Sequence, residues 1–111
     1  MVYLVRRVWV PPSKGLEIIK LYAEVGKTFD WDKYGKVAEP ILPQILIPTK
    51  DGVVGLSVIK VEKGKLEDAL SLSTEWFTKA MNIEGYNFQF DLAYDAEDAL
   101  SMTGINLAPP E

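Results

Sequence analysis

The sharpest pattern in the chain is a strict two-residue alternation near its C-terminal end. Tyr86, Phe88, Phe90, Leu92 and Tyr94 fall on one face, and Asn87, Gln89, Asp91 and Ala93 on the other, which predicts a strand with one apolar side. Upstream, Val53 to Val61 is rich in β-branched residues on both faces, the pattern of a central strand covered on both sides. Asp51-Gly52 marks a hairpin turn before it. Glu62-Lys63-Gly64 ends it. Leu66, Ala69, Leu70, Ser73, Trp76, Phe77, Ala80 and Met81 then recur at helical spacing and predict one wide apolar stripe, with Trp76 and Phe77 in the core.

The first half repeats the theme. Val2 to Val10 predicts a strand with Val2, Leu4, Arg6, Val8 and Val10 on one face and Tyr3, Val5, Arg7 and Trp9 on the other. Pro11-Pro12 ends it, Ser13 is the expected N-cap of a first helix, and Gly26 is its expected breaker, leaving Phe29 beyond the end. Lys27 to Pro43 has no clear period, although Asp30 suits the cap of a short helical turn. Gln44 to Ile47, bracketed by Pro43 and Pro48, predicts a short edge strand. A last short helix follows Asp95, its expected cap, and Gly104-Ile105 has the form of a Schellman ending.

The element order is β-α-β-β-α-β plus a terminal helix. That is an α+β, ferredoxin-like sandwich with a four-stranded antiparallel sheet, spanning residues 1–105 as one domain, with 106–111 as a tail. A turn running from a strand into Leu16-Glu17-Ile18-Ile19 is echoed by Leu66-Glu67-Asp68-Ala69 about fifty positions later. In such a sandwich both helices cover one face of the sheet. The first and third strands here are apolar on both faces, so the other face presents an apolar patch that a second copy would close.

Composition narrows the chemistry. The 111 residues suffice for one modest core. Net charge is −4, which with no basic run argues against nucleic acid or an anionic membrane as partner, and no apolar run reaches a membrane span. A cytoplasmic location is the expectation. The chain contains neither cysteine nor histidine, which removes thiol nucleophiles, histidine-based triads, cysteine–histidine zinc sites and histidine-ligated haem. No cofactor motif occurs and no cofactor is expected. Abundant Lys, Glu, Ile and Val with few Asn and Gln is the lean of heat-adapted, thermostable proteins.

The stretch Val58-Ile59-Lys60-Val61-Glu62-Lys63-Gly64-Lys65-Leu66-Glu67 resembles the strand, Gly-Lys turn and acidic helix start of the dimeric α+β barrel superfamily. That superfamily includes antibiotic-biosynthesis monooxygenases and stress-responsive α/β-barrel proteins. The resemblance spans roughly residues 2 to 94 in topology and implies a homodimeric fold rather than a reaction. Haem-degrading members rely on a histidine, which this chain lacks.

Arg6 and Arg7 are the two arginines of the chain. Alternation sends them to opposite faces, and the expected partner of Arg7 is Asp91 on the neighbouring strand. Arg7, Trp9, Asn87, Gln89 and Asp91 are therefore the candidate ligand-binding residues, on the face away from the helices. The structural alternative is an Arg7–Asp91 ion pair at a dimer interface. Arg6 falls among the aliphatic positions. Trp31 and Tyr34 are candidates for a lid, or for pinning their loop to the core. Three functions remain open: a small homo-oligomeric protein that binds a small molecule or acts as an accessory protein; a cofactor-free enzyme of monooxygenase or isomerase type acting on a hydrophobic carbonyl compound; or a structural interaction module. The expected partner is a second copy, alone or with a small-molecule ligand.

Overall fold

A computed structural model describes residues 1–102 and 104. Strand β1 (Val2–Val10) is followed by α1 (Gly15–Thr28), α2 (Trp31–Val37), β2 (Ala38–Thr49), β3 (Gly52–Val61), α3 (Leu66–Phe77), a 3-10 turn (Thr78–Ala80), β4 (Asn87–Tyr94) and α4 (Ala96–Met102). The strands form one antiparallel sheet in the order β2-β3-β1-β4. The α+β class and the four-stranded antiparallel sheet are as expected and are compatible with a ferredoxin-like sandwich; α2 and α4 stand outside that six-element pattern. No helix among the described residues is long and apolar enough to cross a membrane.

Alternation along β1 and β3 sorts the sheet into two faces. Leu4, Val8, Ser57, Ile59 and Val61 are buried beneath the helices. Register pairs Arg6 with Ser57 and Phe90, and Val8 with Gly55 and Phe88, so the same face carries the aromatic stripe of β4. The core on this side forms two clusters. One joins Leu4, Ile59 and Val61 to Val37, Ala38, Ala69 and Leu72. The other joins Val8 to Ile18, Phe77, Ala80 and Tyr86. Gly55 keeps strand β3 close to its neighbours, because a Cβ there would sit 2.6 Å from a Val8 methyl and from the Gln44 amide nitrogen.

Several expectations are corrected. Strand β2 is far longer than Gln44 to Ile47. Its prolines are accommodated because it is an edge strand, and register shifts between Pro40 and Leu42 and between Leu42 and Ile45 absorb the extra residues. Helix α1 is entered from Lys14 without a side-chain cap, not from Ser13, and it runs through Gly26 to Thr28, with Phe29 just beyond. The tightening at Thr78 ends the stripe of α3 early, so Met81 is 61% exposed rather than part of the core. Trp76 is half-buried and Phe77 fully buried. On β4 the helices run out before the strand does, leaving Leu92 and Tyr94 exposed.

The expected turn at Asp30 is α2, capped by the Asp30 carboxylate accepting from the Lys33 amide (3.0 Å). Asp95 occupies the cap position of α4, and its carboxylate accepts from the Tyr3 hydroxyl (2.8 Å). Gly104 has the left-handed φ of +79° suited to a helix end, while Ile105 and the tail 106–111 lie outside the described residues.

Phe77→Ala should destabilise the fold by about 3–5 kcal/mol, the usual cost of deleting a core aromatic, and Met81→Ala should stay within about 0.5 kcal/mol. Urea denaturation of the two variants checks both.

Candidate functional site

The five predicted site residues do lie on one side of the sheet. Tyr3, Val5, Arg7 and Trp9 of β1 alternate against the buried set, and register places Asn87, Gln89 and Asp91 beside them. Arg7 donates to the Asp91 carboxylate, one step diagonally along the register. The Gln89 amide nitrogen donates to both oxygens of the same carboxylate, at 3.1 and 3.0 Å. Arg7 and Asp91 are 41% and 42% exposed. A wet pair of this kind contributes about 1 kcal/mol or less. Asn87, Trp9 and Gln89 border only a shallow depression at the end of the sheet, shared with Gly85 and Phe88. Arg7 and Asp91 are therefore brought together as expected, but on an open surface.

A partly open apolar pocket lies on the opposite, helix-covered face. A cavity of about 290 Å³ opens between α1, α3 and the sheet, lined by Val8, Val10, Ile18, Tyr22, Val53, Trp76, Phe77 and Tyr86, with Gln44 as its amide and Ile19 and Leu46 among its more exposed residues. Its walls follow from the local sequence. Ile18, Ile19 and Tyr22 recur at helical spacing on α1. Val8 and Val10 are successive helix-side positions of β1. The walls meet as aromatics: Tyr22 stacks on Trp76 with ring centroids 4.9 Å apart, and Trp76 also meets Phe29 (5.1 Å) and Trp31 (5.3 Å).

Tyr22 and Tyr86 tie the cavity to the end of α3. The Tyr22 hydroxyl donates to the Trp76 carbonyl oxygen (2.9 Å), the Tyr86 hydroxyl to the Phe77 carbonyl oxygen (2.9 Å), and the two hydroxyl oxygens are 3.0 Å apart. These phenols cap two carbonyls of the last turn of α3, of which the Trp76 carbonyl also accepts from the Thr78 amide. Burial raises the pKa of both tyrosines above the ordinary phenol value; the bond to Tyr22 adds to the effect at Tyr86. Neither phenol gives a base at neutral pH, and both remain neutral hydrogen-bonding groups.

A second, smaller cavity of about 130 Å³ lies further along the same face, lined by Arg6, Phe29, Trp31, Tyr34, Gln44, Leu72, Trp76 and Phe77. Arg6 reaches under the helices between the two core clusters. Its Nε donates to the Ser57 hydroxyl (3.1 Å) and a terminal nitrogen to the Ser73 hydroxyl (3.4 Å). The guanidinium carbon lies 5.8 Å from the Tyr34 ring centre and 5.5 Å from that of Phe77. Sequence reasoning singled out Arg7 and left Arg6 without a role. Ser73 was visible within the apolar stripe of α3, but its contact with a strand 67 positions away was not. Trp31 and Tyr34 pack on Phe29, and Trp31 also on Trp76, which pins α2 to the fold as the second of the two alternatives has it; both residues also border this cavity.

No protein family, curated protein or solved structure matches the chain. The likeness to dimeric α+β barrels therefore stands on the residues quoted above and on the compatible sheet.

Two outcomes are expected. Raised folded-state tyrosine pKa values mean that their stabilising contribution is complete below the unfolded phenol value, about pH 10, and is lost as pH rises beyond it toward the folded values. Phenolate absorbance titration followed alongside circular dichroism should show Tyr22 and Tyr86 ionising only as the fold is lost; normal ionisation with the fold intact would contradict the buried hydroxyl pair. A double-mutant cycle on Arg7→Met and Asp91→Leu should give a coupling of about 0.2–1 kcal/mol in a single chain, rising toward several kcal/mol only where the face is covered.

Proposed function

We propose that the protein is a small homodimer that binds a small, largely apolar molecule in the cavity between its helices and its sheet. The observation that carries this reading is the cavity itself. Its volume, about 290 Å³, lies near the lower end of ligand pockets, and its walls are aliphatic and aromatic with a few polar groups. With exposed Ile19 and Leu46 at its rim, it is open to a ligand arriving from solvent. Phenols held neutral and turned to backbone carbonyls favour binding over proton abstraction, so the binding reading stands ahead of a cofactor-free enzyme acting on a hydrophobic carbonyl compound.

The dimer half of the proposal rests on the other face. There Val5 and Trp9 of β1, Leu56 and Val58 of β3, and Ile45 and Ile47 of β2 form an apolar surface that no helix among the described residues covers. Packing two such faces together, as in the dimeric α+β barrels that the Val58–Glu67 stretch resembles, would bury it and would enclose the Arg7–Asp91 pair.

The two halves are tested separately. Light scattering at micromolar concentration should give twice the chain mass, and Leu56→Arg should return a single chain; a wild-type monomer sinks the dimer. Calorimetric titration with 1-octanol should show saturable binding, and Val10→Phe, which fills part of the cavity, should weaken it about ten-fold. Unaltered binding in that variant would move the site elsewhere.

A further inference from the structure

Arginine keeps its charge under all ordinary conditions, and a guanidinium withdrawn from water is costly unless a countercharge meets it. The two neighbouring arginines of β1 are treated differently. Arg7, on the open face, has the Asp91 carboxylate. Arg6, half-buried on the helix-covered face, has two neutral serine hydroxyls and the ring faces of Tyr34 and Phe77, and among the described residues it makes no ion pair. Ser57 and Ser73 are themselves 3% and 1% exposed, so two deeply buried hydroxyls are committed to orienting this one side chain. They use two of its five N–H groups. No buried side-chain nitrogen or oxygen among the described residues lacks a partner, so the Arg6 nitrogen that makes no hydrogen bond reaches solvent-accessible space, and Arg6 lines the smaller cavity.

That cavity shares Gln44, Trp76 and Phe77 with the larger apolar one. A fixed cation therefore stands at one end of a continuous aromatic wall, with an apolar chamber at the other. Resting on the reading of the larger cavity as a binding site, we infer that the ligand is a hydrophobic monocarboxylate, with its carboxylate on Arg6 and its alkyl or aryl tail along Trp76 and Phe77 into the larger chamber. A carboxylate matches the planar fork of a guanidinium, and one negative charge balances one positive charge. A phosphate ester would carry a second charge, and among the residues lining the two cavities there is no lysine and no other arginine to meet it. The sizes of the chambers, about 130 and 290 Å³, suit a short chain or a single ring rather than a long lipid.

The test uses the full chain and two probes of equal tail length, octanoate and 1-octanol, titrated calorimetrically at pH 7. Octanoate should bind at least ten-fold tighter than the alcohol. Arg6→Met, which keeps most of the apolar stem, should abolish that preference. Arg6→Gln serves the same comparison if the methionine variant fails to fold, and the wild-type contrast needs no variant. Equal affinity for the two probes, or a carboxylate preference that survives loss of Arg6, overturns the assignment of the head group and leaves the apolar cavity as a site. Absence of binding by either probe overturns both this inference and the cavity reading beneath it.

Discussion

One cation under the helices sets the terms for the covered half of the molecule. Arg6 stands between Leu4 and Val8 on β1, both of which are buried, so its guanidinium enters the layer that would otherwise be continuous core. The hydrophobic interior is divided around it. Residues that pack beside it are small or hydroxylated, as at Ser57 and Ser73, or present aromatic faces, as at Tyr34 and Phe77. Aliphatic replacements at those serines would remove hydrogen-bond acceptors from a charged group, which costs more than removing a partner from a neutral one. The two cavities share the Trp76–Phe77 wall.

Much of this architecture was legible in the chain. Period-two alternation placed β1 and β4 and assigned their faces, since a strand's side chains have only two directions to take, while β3 was legible from its run of β-branched residues. The same alternation set Arg6 and Arg7 on opposite sides and brought Arg7 to Asp91. What stayed hidden was long-range. Ser57 and Ser73 are 51 and 67 positions from Arg6, and a serine on a helical stripe carries no local sign that it will accept from an arginine. Sequence attention therefore went to the polar residues of β4, while the pocket formed among residues that read as ordinary core: Val8, Ile18, Tyr22, Trp76 and Phe77. Strand β2 was underestimated for a different reason. Proline argues against a strand only where a ladder partner needs its N–H, and an edge strand has one side with no partner.

The two faces of the sheet divide the work of stability. On the covered face, burial of Leu4, Val8, Ile59, Val61 and Phe77 supplies the hydrophobic gain. On the open face, Arg7, Gln89 and Asp91 make a surface network whose own contribution is small but whose geometry is fixed by register. The tyrosine pair adds a third element. By answering the carbonyls at the end of α3, Tyr22 and Tyr86 fasten helix α1 and the entry to β4 to the same point, so three segments distant in the chain share one small polar node.

The irregular edge of the sheet also governs how the molecule can meet its own kind. An exposed strand is a template for another strand, and sheets that leave a regular edge free are prone to grow without limit. Along β2 that template is spoiled. Pro40, Pro43 and Pro48 offer no N–H, and the two register shifts interrupt the spacing that an incoming backbone would need. Growth by strand addition at that side is disfavoured, whereas contact through the broad apolar face is not. At that edge the backbone itself stands against open-ended, fibre-forming addition.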